Sequence, residues 1–335
     1  MFFMYSPFMT LTYMSLIIST LMALSSANWI LLWTAMELNL LSFIPIMLQS
    51  STHQETEGSV KYFLAQALGS SLLLMSSTAL YMAFVPTPNM MSIILFISIT
   101  LKLGAVPCHF WYPSVMASIS WISCFILSSW QKLAPLSIMA FILPSKSSVL
   151  IMSVAGMNAL IGGVMGMNQT QVRTIMAYSS ITHIGWMISL IALYKPNFSI
   201  LYLMIYMMLI FPIFITFYHL GIMTTKQLNK VSSKNMSINL SLTMMLMSLG
   251  GLPPLTGFFP KLMTIMMMIQ SMKLMVLIMI LGSIMNLYYY LNMVINMMFT
   301  NLPMSCQQPM NRKIMSNILL MSTITSLGLS PLMIM

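Results

Sequence analysis

The chain has 335 residues, 59% of them hydrophobic and 5% charged, with 13 Lys or Arg against 3 Asp or Glu and a formal net charge of +10. Soluble domains carry about 25% charged residues, so these few ionic groups cannot clothe a core of this size in water, and a soluble enzyme is excluded. High hydrophobicity excludes a disordered chain, and the lack of any basic cluster interleaved with aromatics excludes a nucleic-acid footprint. What remains is an integral membrane protein. Its 44 methionines are spread through every apolar run, where they serve as flexible apolar filler. Cys108, Cys124 and Cys306 are too widely spaced for a CxxC pair, so they argue for no disulfide framework, zinc site or iron–sulfur site.

A helix needs about 20 mostly apolar residues to cross the hydrocarbon core. Runs of that length fall at 4–26, 28–48, 59–84, 91–112, 119–143, 147–167, 172–193, 198–222, 236–271, 274–299 and 314–334. Strands of about ten alternating residues, the mark of a membrane barrel, are absent from the sequence. The first run lacks a basic start and a small-residue cleavage site, so it is read as a helix and not a signal peptide. Gly162 and Gly166, four apart in the sixth run, predict close helix packing. The ninth run is too long for one crossing and holds Gly250-Gly251-Leu252-Pro253-Pro254 and then Pro260, which predicts two half-helices, because proline removes a donor and clashes with the preceding turn. The expected fold is all-α and polytopic, a single transmembrane domain over 1–335 with about eleven spanning helices, two of them broken. Loops after even-numbered runs, with the N-terminal side, carry Lys61, Arg173, Lys226, Lys230, Lys234, Arg312 and Lys313, against Lys146, Lys195 and Lys273 on the other side. The positive-inside rule then places the N-terminus on the inner face and the C-terminus opposite.

An ionisable residue at mid-bilayer costs about 2.5–3.5 kcal/mol on insertion scales, so each needs a partner, a hydrated cavity or a role. Four stand out. Glu37 and Lys132 have about ten apolar or neutral residues on either side, Lys102 precedes Leu103-Gly104-Ala105-Val106-Pro107, and Lys261 follows Pro260 in the broken ninth run. Lys195 and Lys273 lie at run boundaries, where a lysine snorkels along its aliphatic stem. Burial disfavours the charged form of an ammonium and a nearby carboxylate favours it, so a Glu–Lys arrangement can take up and release protons. Two interrupted helices, each bearing a lysine and in different halves of the chain, point to an ion carrier built on inverted repeats. His109 and His183 are secondary candidates for proton relay. Tyr178, Ser179 and Ser180 could hold water, although a membrane-helix serine usually bonds its own backbone. The short loops leave no room for a nucleotide-binding lobe, and neither GxxxxGK nor GxGxxG occurs.

These residues stand within longer motifs. In order they are Glu37-Leu38-Asn39-Leu40-Leu41-Ser42-Phe43-Ile44-Pro45, Lys61-Tyr62-Phe63-Leu64-Ala65-Gln66, Lys102-Leu103-Gly104-Ala105-Val106-Pro107-Cys108-His109-Phe110-Trp111 and Trp130-Gln131-Lys132-Leu133-Ala134-Pro135-Leu136. The stretch from Asn168 to Ile181 and Ser248-Leu249-Gly250-Gly251-Leu252-Pro253-Pro254-Leu255-Thr256-Gly257-Phe258 complete the set. Together they resemble the antiporter-like membrane-arm subunits of respiratory complex I, over residues 29–290, with the C-terminal helices spanning 274–334. The resemblance implies a proton-translocating subunit of NADH–ubiquinone oxidoreductase in the mitochondrial inner membrane, N-terminus in the matrix and C-terminus toward the intermembrane space, lacking three N-terminal helices of its bacterial relatives. It also implies that NADH, FMN, iron–sulfur clusters and ubiquinone are handled by other subunits, that this chain binds no cofactor or metal, and that its partners are membrane-arm subunits and lipids. By motif, Glu37, Lys102, Lys132 and Lys261 become the translocation residues: Glu37 holds Lys102 protonated, Lys102 passes its proton through water to Lys132, and Lys261 exchanges with the opposite face. The chain departs from the family at Cys108, where phenylalanine usually follows the proline. The alternative is a free-standing cation/proton antiporter of the related family.

Overall fold

A computed structural model describes residues 7–50, 52–81, 88–142, 148–228, 236–298 and residue 323. The described elements are helices α1 (Pro7–Ser25), α2 (Trp29–Met47), α3 (His53–Tyr81), α4 (Pro88–Leu103), α5 (Trp111–Ser118), α6 (Trp121–Ser128), α7 (Trp130–Ile142), α8 (Ser148–Met167), α9 (Val172–Ala192), α10 (Pro196–Leu220), α11 (Met236–Gly250), α12 (Phe258–Ile269) and α13 (Lys273–Met298), with a short 3-10 turn at Thr225–Leu228. Ten of the eleven expected runs coincide with these elements, and the eleventh, 314–334, lies outside the described residues apart from Thr323. Among the described residues, eight spans are long and apolar enough to cross a membrane, α6 and α7 counting together as one, and α4, α11 and α12 are shorter apolar helices.

Local signals set the helix ends. The third helix starts at His53, six residues ahead of its apolar run, because Thr52 Oγ1 accepts a hydrogen bond from the Glu55 backbone N–H at 3.3 Å while the Glu55 carboxylate accepts one from Ser50 N–H at 3.0 Å, close to a capping box. Glu57 and Lys61 then pair one turn apart on the exposed face. Proline opens α10, and Gly221 closes it in the left-handed conformation at φ 62°, where Ile222 N–H reaches back to the Phe217 carbonyl, the usual glycine helix stop. The run 119–143 holds no glycine and a single proline, Pro135, which lies inside α7, yet it divides at Ser129 into α6 and α7. The Ser129 hydroxyl donates to the Phe125 carbonyl and Lys132 N–H to the Ser129 carbonyl, so the regular ladder is interrupted just ahead of Lys132.

The chain forms two compact units, residues 1–154 and 155–335, with the division inside α8. In the first, α2 packs between α1 and α3, α3 packs on α4 and α5, and α7 contacts α4, α6 and α1. In the second, α9 is the core: every residue except Arg173 is buried, and α10, α12 and α13 pack around it. Serine and threonine hydroxyls are satisfied locally, as Ser179 donates to the Met176 carbonyl and Ser180 to that of Ala177. Large apolar side chains such as Phe8, Leu64, Met208 and Leu277 are exposed, as expected of faces that meet lipid.

Small residues let the helices of the second unit approach closely. A side chain on Gly162 would meet Thr182 and the Tyr178 carbonyl of α9, one on Gly166 would meet the Tyr289 ring of α13, and one on Gly282 would come 2.5 Å from the Ala159 carbonyl of α8. This is the close packing expected of small-xxx-small pairs. Gly282→Val should therefore destabilise the second unit by about 1–3 kcal/mol through overpacking, read as a lower melting temperature of the detergent-solubilised protein; an unchanged Tm would contradict the packing.

Candidate functional site

The sequence-predicted lysines are held inside the protein and do not face outward. Lys102 is 6% exposed, Lys132 2% and Lys261 4%. Glu37 is half-buried in the middle of α2 and lies within electrostatic reach of Lys102, while the direct ion pair among the described residues is Lys61 with Glu57.

Lys102 occupies the last turn of α4, where the chain breaks. Gly104 takes the left-handed conformation at φ 68°, which only glycine adopts freely. The carbonyls freed by the break find neutral donors: Ala105 N–H bonds Thr100 at 2.9 Å, the Trp111 indole N–H bonds Leu101 at 3.1 Å, and the Gln66 amide bonds Lys102 itself at 3.1 Å. The lysine stem lies against Gly69 of α3, where an added Cβ would come 3.0 Å from Lys102 Cγ. His109 is buried in the same break with its ring 4.3 Å from that of Phe110. Cys108 is half-buried beside it and free of disulfide bonding.

Lys132 stands on the first turn of α7, and its ammonium lies 5.3 Å from the centroid of the Tyr112 ring, a cation–π distance. Lys102 and Lys132 line one cavity of about 20 Å³, shared with the amides of Asn39, Gln66 and Gln131 and the rings of Tyr62 and Tyr112. That volume admits about a single water. Gln131 donates its amide to Asn39 Oδ1 at 3.1 Å, joining α7 to α2. His109 does not line this cavity.

The second break lies in the other unit. Gly250 ends α11, Gly251 takes φ 87°, and Gly257 presses against the Ser248 carbonyl. Here the freed carbonyls receive an ammonium: Lys261 Nζ donates to Gly250 at 2.8 Å and to Leu249 at 3.4 Å. A helix C-terminus carries about half a negative charge, so α11 supplies the counter-dipole for Lys261. On α9, His183 Nδ1 lies 2.9 Å from the Tyr202 hydroxyl, and its ring is 4.7 Å from that of Tyr206. Tyr202 also lines an apolar cavity of about 60 Å³ with Pro260, the residue before Lys261.

Sequence reasoning attached no role to Asn39, Gln66, Tyr112, Gln131 or Tyr202. The first two and Gln131 carried a signal, as amides inside apolar runs; the two tyrosines carried none. Among the described residues, no three His, Cys, Asp or Glu side chains converge on one point as metal ligands.

Residues 26–287 match the family described as NADH:quinone oxidoreductase/Mrp antiporter, transmembrane. The chain is 64% identical over 293 residues to NADH-ubiquinone oxidoreductase chain 2 of Lumbricus terrestris, covering 88% of each, and 39% identical over 308 residues to that of Hippopotamus amphibius, covering 90% of this chain and 88% of the other. Its fold is similar to a chain of respiratory complex I from Thermus thermophilus, with a TM-score of 0.87 at 19% identity over 96% of this chain and 78% of that one. It is also similar to a chain of the Mrp complex from Dietzia sp. DQ12-45-1b, with a TM-score of 0.78 at 16% identity over 95% and 74%.

A Cβ on Gly251 would stand 2.8 Å from Lys261 Nζ, on a backbone conformation that L side chains rarely adopt. Gly251→Ala should cost about 1–2 kcal/mol in backbone strain and displace the ammonium from the Gly250 carbonyl. In an experimental structure of the variant, Lys261 Nζ should stand beyond hydrogen-bonding distance of that carbonyl; an ammonium still 2.8 Å away, as in the parent chain, would refute this account of the break.

Proposed function

The chain belongs to the NADH:quinone oxidoreductase/Mrp antiporter transmembrane family, and on that premise we propose that Glu37, Lys102, Lys132 and Lys261 carry protons through it. The protein is a multi-pass membrane subunit of mitochondrial NADH–ubiquinone oxidoreductase that couples electron transfer to proton translocation. Electron transfer from NADH through FMN and iron–sulfur clusters to ubiquinone takes place in other subunits, and the neighbouring membrane-arm subunits are its partners.

The observation that supports the residue assignment is the burial of three lysines, each beside an interruption of its helix: Gly104 after Lys102, Ser129 before Lys132, and Gly251–Gly257 before Lys261. Irregular backbone at membrane depth is tolerated where it is buried in protein or lines a cavity, and there it presents carbonyl dipoles to an ion. Glu37 attracts the Lys102 ammonium electrostatically, without a direct ion pair. When that attraction weakens, the proton leaves Lys102 for Lys132 through a water that their shared cavity can hold. Lys261, solvated by the end of α11, exchanges protons with the bulk phase. His183, bonded to Tyr202, and His109 serve as secondary relays. The excess of basic residues on the N-terminal side supports a matrix-facing N-terminus and a C-terminus toward the intermembrane space.

In the assembled complex, Lys132→Ala should slow proton uptake coupled to NADH oxidation by about 10²-fold, the order contributed by one positioned proton-transfer group, and Glu37→Gln should slow it in the same direction. Proton uptake by inner-membrane vesicles, normalised to flavin and iron–sulfur content, reports the effect. Pumping at the parent rate from the Lys132 variant would overturn the assignment. Cation/proton exchange by the isolated chain in proteoliposomes would favour the free-standing antiporter.

A further inference from the structure

In the first unit, two amide side chains bridge α2 and α7, which face one another across the cavity that Lys102 and Lys132 share. The α2 helix packs against α1 and α3, and α7 against α4, α6 and α1. Between α2 and α7 runs a hydrogen bond from the Gln131 amide nitrogen to Asn39 Oδ1 at 3.1 Å, 92 residues apart in sequence. Asn39 is buried. Both residues line the cavity that Lys102 and Lys132 share.

Their positions relative to the charged residues give this bond its interest. Gln131 immediately precedes Lys132, and Asn39 follows Glu37 by two residues. Successive residues on a helix are fixed about 100° apart around its axis. Anchoring Gln131 to α2 therefore fixes the rotation of α7, and with it the direction in which Lys132 leaves the helix. Anchoring Asn39 fixes the rotation of α2, which sets where Glu37 presents its carboxylate to Lys102. The helix is interrupted at Ser129, two residues before Gln131, and the bond to Asn39 ties the start of α7 to α2. A buried amide with its partner removed is destabilised, so the pair selects one rotational setting over its neighbours.

We propose that Asn39 and Gln131 form a positioning pair that holds Glu37 and Lys132 in register with Lys102, so that proton transfer across the shared cavity depends on their hydrogen bond. This rests on the assignment of Glu37, Lys102 and Lys132 to the proton path made above. Neither amide carries the proton; each acts through the helix it fixes.

The test uses the assembled complex in inner-membrane vesicles, with Asn39→Leu, Gln131→Leu, the double variant, and the reciprocal exchange Asn39→Gln with Gln131→Asn. Assembly is read from flavin and iron–sulfur content, and function from the rate of proton uptake per assembled complex. An interhelical hydrogen bond in a membrane is worth about a fivefold effect, so each leucine variant should assemble and pump roughly fivefold more slowly. The double variant should lose no more than either single one, because one bond is broken in all three, and the reciprocal exchange should restore most of the rate. Parent rates in the single variants, or losses that multiply in the double variant, would overturn the proposal. If the leucine variants fail to assemble, the exchange decides: pumping near the parent rate supports the pair, and slow pumping or failed assembly refutes it. Lys132→Ala serves as the control that separates the two readings. Normal pumping by that variant would remove the proton-path assignment itself, whereas its failure beside fully active leucine variants would remove only the positioning pair.

Discussion

An ammonium group taken out of water must be solvated by something else, and in a hydrocarbon environment the protein is the only source. Three lysines of this chain are 6% exposed or less, and each meets the requirement differently. Lys261 uses the carbonyls at the end of a half-helix. Lys132 uses the face of an aromatic ring and a small polar cavity. Lys102 shares that cavity and lies within reach of the single carboxylate placed in the middle of a spanning helix. The direct ion pair among the described residues, Lys61 with Glu57, stands instead on an exposed face. A tight buried ion pair resists separation, and an ammonium solvated by dipoles and by distant charge can exchange its proton more readily.

The helix interruptions follow from the same requirement. An uninterrupted helix uses all its interior carbonyls in its own ladder and has none to offer an ion. At the first break the freed carbonyls are taken by neutral donors from Gln66, Trp111 and the backbone of Ala105. At the second they face the lysine directly. The two breaks resemble one another in sequence, and each has a left-handed glycine and a cis X–Pro bond. They differ in what their carbonyls solvate. The first break confines Lys102 within a polar lining, and the second makes the backbone itself the partner of the charge.

Rigid surroundings keep these arrangements in place. Near-complete burial of α9, with its hydroxyls bonded back to their own helix, gives the second unit a core that carries His183 and its tyrosine partner. Glycines along α8 and α13 bring backbones close enough that single methyl groups would collide. In the first unit the corresponding tie is polar: amides on α2, α3 and α7 meet at the cavity wall. Close packing tolerates few alternatives, and a hydrogen bond in an apolar interior selects one rotational setting.

Much of this was legible in the sequence, because membrane depth makes composition and spacing nearly decisive. Run lengths set the spans, proline and glycine set the ninth-run break, and the expense of intramembrane charge singled out Glu37, Lys102, Lys132 and Lys261. The early start of α3 was missed, since a capping interaction extends a helix beyond its apolar run. The break at Ser129 was missed too, having neither glycine nor proline to announce it. Periodicity and charge report on one helix at a time, so they determined which segments cross the membrane and which side chains are too polar to lie there idly. Which partners those side chains meet depends on how separate helices are rotated against each other. The contact of Gln131 with Asn39, the ring of Tyr112 under Lys132 and the carbonyl of Gly250 on Lys261 were therefore decided only when the chain packed.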